Sequence, residues 1–234
     1  MVLKIAPHRL TGRALLIAGL IHISAATVPE TGLAMSTISS DSEHSVSDKP
    51  VSDRPGQAGP ACGDLSGLSY ETLGPIEGEG GCGIEAPLEV SAVDGIALDP
   101  PATIDCRTAE ALQHWVRSVL TPAADTDLRS PVVRLRIYGS YVCRGRNRNP
   151  DAKLSEHALG NAIDVGIIIL ADGREIAIAP RGGKTTPQAN FQKKIRTGAC
   201  AMFSTVLGPG ADDYHDDHLH FDVAKRRNNY KLCQ

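Results

Sequence analysis

The most apolar stretch in the second half of the chain, Ala162-Ile163-Asp164-Val165-Gly166-Ile167-Ile168-Ile169-Leu170, has a carboxylate inside it. A continuous β-branched run of this kind belongs in the centre of a sheet, covered on both faces. An ionised aspartate there is costly unless a cation or a set of hydrogen bonds meets it. Any fold for this chain must therefore bring a partner to Asp164. The residues just upstream offer one: Ser155-Glu156-His157-Ala158-Leu159-Gly160 places a histidine seven residues before Asp164, with a glycine between them to turn the chain. A second cluster stands near the C-terminus, His215-Asp216-Asp217-His218-Leu219-His220-Phe221-Asp222. In a strand His218, His220 and Asp222 share one face.

Two histidines and one carboxylate suit zinc, and three protein ligands leave a place for water. We therefore read His157, Asp164 and His220 as a zinc-ligand set. Zinc lowers the pKa of its water to about 7, giving a nucleophile near neutral pH. His218 and His215 remain as candidate catalytic groups, for proton transfer or for stabilising a tetrahedral intermediate. A purely structural zinc site would use a fourth protein ligand, often cysteine. No C-x-x-C pair occurs among the six cysteines.

The rest of the chain frames this pair of clusters. Basic residues Lys4, His8, Arg9 and Arg13 precede an apolar run from Ala14 to Val28, with small residues Ser24 and Ala26 spaced for cleavage. This is the layout of an export signal, over 1–34. The run is short for a membrane span and is interrupted by His22 and Ser24, so no stable span is expected after cleavage. Residues 35–60 are rich in Ser, Asp and Pro and read as a disordered tether. Residues 61–234 then form one domain.

Export puts Cys62, Cys82, Cys106, Cys143, Cys200 and Cys233 in an oxidising compartment, where an even count favours disulfides. Sequential pairing (Cys62–Cys82, Cys106–Cys143, Cys200–Cys233) is the simplest of the possible connectivities. A net charge of −3 speaks against a nucleic-acid binder.

Within the domain, Thr108 is placed to cap a helix whose Ala109, Leu112, Trp115, Val116 and Val119 share a face, with Pro122 ending it. Val132 to Val142 reads as a strand, with Val133, Leu135 and Ile137 on one side. Asp172-Gly173 turns the central strand into a hairpin. Pro187 starts a second helix with Phe191, Ile195, Ala199, Met202 and Val206 on one face, closed by Gly208-Pro209-Gly210. His218 to Val223 is a last strand. The expected class is α+β, a small antiparallel sheet flanked by helices and stapled by disulfides. Between the first long strand and the His-Asp stretch lies Tyr141-Val142-Cys143-Arg144-Gly145-Arg146-Asn147-Arg148, whose arginines could grip carboxylates.

These residues carry a resemblance. Ser155-x-His157-x-x-Gly160-x-Ala162-x-Asp164 is similar to the S-x-H-x-x-G-x-A-x-D signature of the lysostaphin and D-Ala-D-Ala metallopeptidase superfamily. His215-x-x-His218-x-His220 resembles the last motif of penicillin-insensitive murein endopeptidases. From Cys62 onward the chain resembles the bacterial extensin-like C-terminal domain proteins, through Gly139-Ser140-Tyr141-Val142-Cys143-Arg144, the His-Asp motif, Gly198-Ala199-Cys200 and the final histidines. The resemblance implies zinc at His157, Asp164 and His220, and peptidoglycan peptides as substrate. It implies a substrate-binding role for Arg144, with Ser155, Arg146 and Tyr141 beside it. Many carboxypeptidase relatives place a glutamate in the last motif as base; histidines stand there here, so either His218 or His215 takes that part.

The expectation is a periplasmic or secreted zinc peptidase cutting stem-peptide or cross-link amides. A wall-binding module that keeps the metal fold without turnover, and a zinc or copper carrier, are the competing readings.

Overall fold

The carboxylate-bearing run is the central strand of the sheet, as its composition requires. The structure is a computed structural model, and it describes residues 62–234. The export signal (1–34) and tether (35–60) expected from the sequence lie outside the described residues. The strands in chain order are β1 (Leu68–Thr72), β2 (Ile76–Glu77), β3 (Gly83–Ile84), β4 (Leu88–Val93), β5 (Ile96–Ile104), β6 (Val132–Gly139), β7 (Ala162–Leu170), β8 (Glu175–Ala177), β9 (Thr205–Leu207), β10 (Leu219–Asp222) and β11 (Leu232–Cys233). Nine of them form one sheet in the order β1-β4-β5-β6-β7-β10-β9-β11, with β8 also paired to β7. β2 and β3 form a separate ribbon.

The fold is α+β, as expected, but the sheet is mixed and larger than the small antiparallel one anticipated. β5 runs parallel to β6, and β11 runs parallel to β9. The β5–β6 pair is parallel because a helical crossover joins its strands, a connection that returns the chain in the same direction. That crossover begins with α1 (Cys106–Trp115). Asp105, not Thr108, caps it: the Asp105 carboxylate accepts from the Thr108 main-chain N–H at 2.8 Å. Pro122 does not end the helical path. It lies inside the path, in α2 (Thr121–Ala123), between wider π-type turns that carry the helix past the proline and on to Leu128. Arg129, in the left-handed conformation, stops it.

The second long helix, α3 (Pro187–Ala199), starts at its proline and is capped by the Thr186 hydroxyl. It ends earlier than the periodicity suggested, so Val206 belongs to β9. Gly198 has a packing reason: a Cβ there would come within 2.5 Å of Val119. The two helical segments meet where the Trp115 indole N–H donates to the Ile195 carbonyl at 2.9 Å. Trp115 is core scaffold, its ring 5.0 Å from that of Phe221 on β10. Phe203 stacks on the same Phe221 at 4.7 Å.

Alternation along β10 therefore sorts its side chains: Leu219 and Phe221 enter the helix-covered core, and His220 and Asp222 face the other way. β7 repeats the pattern, with Ile163 and Val165 in the core and Asp164 on the opposite face. One expected alternation fails. Val132 is buried and Val133 exposed, because a register shift between Val132 and Arg134 moves the strand by one residue.

The cysteines form three pairs, Cys62–Cys106, Cys82–Cys143 and Cys200–Cys233. Only the last matches sequential pairing. Cys62 reaches the first residue of α1, and Cys82, beside the β2–β3 ribbon, reaches the loop after β6. The loops closed span 44, 61 and 33 residues, and closing loops of this size restricts the unfolded chain by roughly 4 kcal/mol each. Among the described residues no helix is long and apolar enough to cross a membrane.

Candidate metal centre

Three neighbouring strands place one row of residues side by side. Gly139 on β6 is paired with Asp164 on β7, and Asp164 with His220 on β10. His157 arrives from the 3-10 turn Glu156–Leu159 just before β7. Gly160 closes that turn with φ of +67°, and a Cβ there would lie 2.4 Å from Ile84. The turn is tied to the start of α1, where the Asp105 N–H donates to the Gly160 carbonyl at 2.9 Å and the Thr108 hydroxyl lies 3.0 Å from it.

His157, Asp164 and His220 converge and are the described group that could hold a metal ion. His157 Nε2 lies 3.2 Å from Asp164 Oδ2 and 3.2 Å from His220 Nδ1, and His220 Nδ1 lies 2.8 Å from Asp164 Oδ1. Ligand atoms around a four-coordinate ion with bonds of about 2.1 Å lie about 3.4 Å apart. The observed spacings are near that. The far nitrogens are held as well. His157 Nδ1 donates to the Ser140 carbonyl at 2.7 Å, so a ring bound to a metal would keep its proton there and offer Nε2. His220 Nε2 lies 3.6 Å from Asp222 Oδ2. Asp222 is buried, accepts from the Ala224 N–H at 3.1 Å and faces Arg226 at 3.9 Å. Gly139 makes room for this arrangement, since a Cβ there would sit 2.6 Å from Asp164 Oδ2.

Charge is strongly polarised in the cluster. Burial works against ionised Asp164, yet hydrogen bonds from His157 and His220 hold its carboxyl far below the usual carboxylate range. Burial likewise opposes a charged His220, but Asp164 and Asp222 push it up to about 9. Asp222 is lowered against its own burial by bonds from His220 and Thr205. A site that draws a positive charge this strongly suits a cation.

The cluster opens into a cleft of about 1060 Å³. His218 lies at its edge, Nε2 3.6 Å from Asp164 Oδ1 and Nδ1 2.8 Å from Asp217. His215 Nδ1 is 2.6 Å from Asp212, and its ring lies 5.2 Å from that of His218 and 5.5 Å from that of His220. Burial lowers His215 below the usual imidazole value, although Asp212 opposes the shift.

Arg144, Arg146, Arg148 and Ser155 also line the cleft. Arg146 is occupied by Glu156 at 3.3 Å, and Glu156 in turn accepts from Asn161 at 3.1 Å. Arg144 makes no ion pair among the described residues. Ser155, nearly buried, opens the His157 turn. Tyr141 is not part of the lining: a Cβ at Gly78 would lie 3.2 Å from its hydroxyl, so its ring points to the β2–β3 side. Tyr138 lines the cleft instead, half exposed, with its ring over Gly166 and 6.5 Å from that of His218. The signal for Tyr138 in the sequence is alternation, which sets it on the strand face opposite Leu135 and Ile137.

A family model described as "Extensin-like protein C-terminus" matches residues 62–234. No curated protein and no solved structure matches the chain.

Proposed function

We propose that this chain, which belongs to the extensin-like protein C-terminus family, is a periplasmic or secreted zinc peptidase that hydrolyses stem-peptide or cross-link amides of peptidoglycan, on a fold of the lysostaphin and D-Ala-D-Ala metallopeptidase type. The observation that carries the reading is the grouping of His157, Asp164 and His220 at the floor of an open cleft, with a further histidine beside them. Zinc held there would supply a Lewis acid and a water of lowered pKa.

The chain's own residues do the rest. Asp217 at 2.8 Å favours the proton on His218 Nδ1, which leaves Nε2 facing the cleft as the acceptor. His215, which burial lowers below the usual imidazole value, lies with its ring 5.2 Å from that of His218 and is placed to share that proton. Arg144, free of a carboxylate of its own, holds a substrate carboxylate in a charge-assisted pair. Arg146 is already engaged by Glu156 and serves mainly to shape that wall. Tyr138 offers an aromatic shelf at the rim. Three disulfides suit the oxidising compartment where peptidoglycan lies.

The test is digestion of purified sacculi by the full chain, followed by muropeptide analysis. New products that disappear with chelator and return with zinc support a peptidase. His218→Ala separates this reading from a wall-binding module: turnover falls at least 100-fold while zinc and sacculus binding stay. Unchanged muropeptides with zinc bound would leave the binding module as the better account.

A further inference from the structure

A second cleft lies on the other side of β9. Thr205 and Leu207 line the metal cleft, whereas Val206 lines this one, so strand alternation separates the two. The second cleft encloses about 360 Å³ between α3 and the β11 segment. Its floor is apolar, from Pro209 and the Cys200–Cys233 pair, over the buried Ala189 and Val206. Its rim is cationic, from Arg181, Lys184, Lys193 and Arg196.

No aspartate or glutamate side chain lines it. Among the described residues none of the four cations makes an ion pair with a side-chain carboxylate. Arg196 donates to main-chain oxygens of Gln234 at 2.7 Å and Pro209 at 2.9 Å. Arg181 is held by Gln192 at 3.1 Å. Arg181 is thus held by a neutral partner, whereas Arg196 is already engaged at the last residue of the sequence. Lys184 and Lys193 are exposed, and their ammonium groups meet no partner among the described residues. Lys194, next to Lys193 on the same helix, does reach an acid, Asp127 at 2.8 Å. In a chain of net charge −3, three cations without acids at one cleft, Arg181, Lys184 and Lys193, are a local excess that a ligand could neutralise.

We infer that this cleft binds an anionic amphiphile, a small molecule whose charged head meets Arg181, Lys184 and Lys193 while a short apolar body lies on Pro209 and the Cys200–Cys233 pair. The head is a phosphate- or carboxylate-sized anion, which ammonium and guanidinium groups hold in charge-assisted bonds. The site is independent of the metal, because the two clefts use opposite faces of β9.

The probe is dodecyl phosphate below its micelle concentration, titrated calorimetrically into the full chain, with dodecyl maltoside as the neutral-headed control. The expected result is saturable one-to-one binding of dodecyl phosphate and none of the maltoside. Lys184→Glu/Lys193→Glu weakens it by roughly tenfold or more, with metal content and Tm unchanged. Asp164→Ala leaves it intact. The inference is overturned if both amphiphiles bind equally, if the double lysine variant binds as the parent does, or if Asp164→Ala abolishes binding. It is overturned too if only vesicles of anionic phospholipid bind and the monomeric amphiphile does not.

Discussion

Asp164 and His220 face each other on paired strands, whereas Arg144, Arg146 and Arg148 sit on a loop tied back by a disulfide at Cys143. The strand-borne half is buried, with every polar atom aimed at a neighbour. The loop-borne half is partly exposed, and among its three arginine side chains the one ion pair is Arg146 with Glu156, at 3.3 Å. Position within the sheet fixes the strand half more closely than a loop holds its side chains. We take the difference to separate two tasks: the sheet holds the cation, and the loop meets the substrate.

If that division is right, damage to the sheet half should be severe and damage to the loop half graded. Gly139→Ala forces a methyl to within 2.6 Å of Asp164 Oδ2. It should weaken metal binding by about 100-fold, as disturbing the surroundings of ligands commonly does. Gly166→Ala, two residues from Asp164 on the same strand, meets the Tyr138 ring instead and should leave metal affinity within a few-fold. Competition with a chromogenic chelator measures both. Equal losses would break the division.

Arg144→Ala is the matching change in the loop half. It should lower kcat/KM on muropeptides by roughly 10- to 100-fold, the loss of one charge-assisted bond. Metal content and Tm should stay as they are. Loss of metal with Arg144→Ala would show that the two halves are not separable.

Acidity gives the smallest effect and a sharp sign. In the metal-free chain His220 is raised from 6.5 to about 9, so its stabilisation is complete below about pH 6.5 and is lost as pH rises through about 9. Asp164 is depressed from 3.8, so its contribution is present above that value and is lost as pH falls toward the acid range. A cation entering the site displaces the His220 proton. Metal binding at pH 7 should therefore release about one proton, read from calorimetry in two buffers of different ionisation enthalpy. Release of none would mean that His220 is not a ligand.

The strand half was also the legible half. An aspartate in an apolar run is a conflict that only a partner can resolve, and period-two alternation puts His220 and Asp222 on the face opposite Leu219 and Phe221. The loop half was less legible because its geometry depends on distant chain. The disulfide partner of Cys143 is Cys82, 61 residues away, and the exit from β6 turns Tyr141 outward and leaves Tyr138 in the cleft. Helix limits failed where local rules compete with packing. Pro122 is accommodated between π-type turns of one helical path, and α3 gives way to β9, where Val206 is fully buried. The parallel β5–β6 pair depends on how a helical crossover docks, which neither strand's own sequence encodes.

The most direct test is the metal content of the purified full chain after zinc loading and exhaustive dialysis, compared between wild type and Asp164→Ala by mass spectrometry of the elements. Three ligands from β7, β10 and the turn before β7 predict one ion per wild-type chain and less than about a tenth as much in the variant. Equal metal in the two proteins, or none in the wild type, would contradict the account.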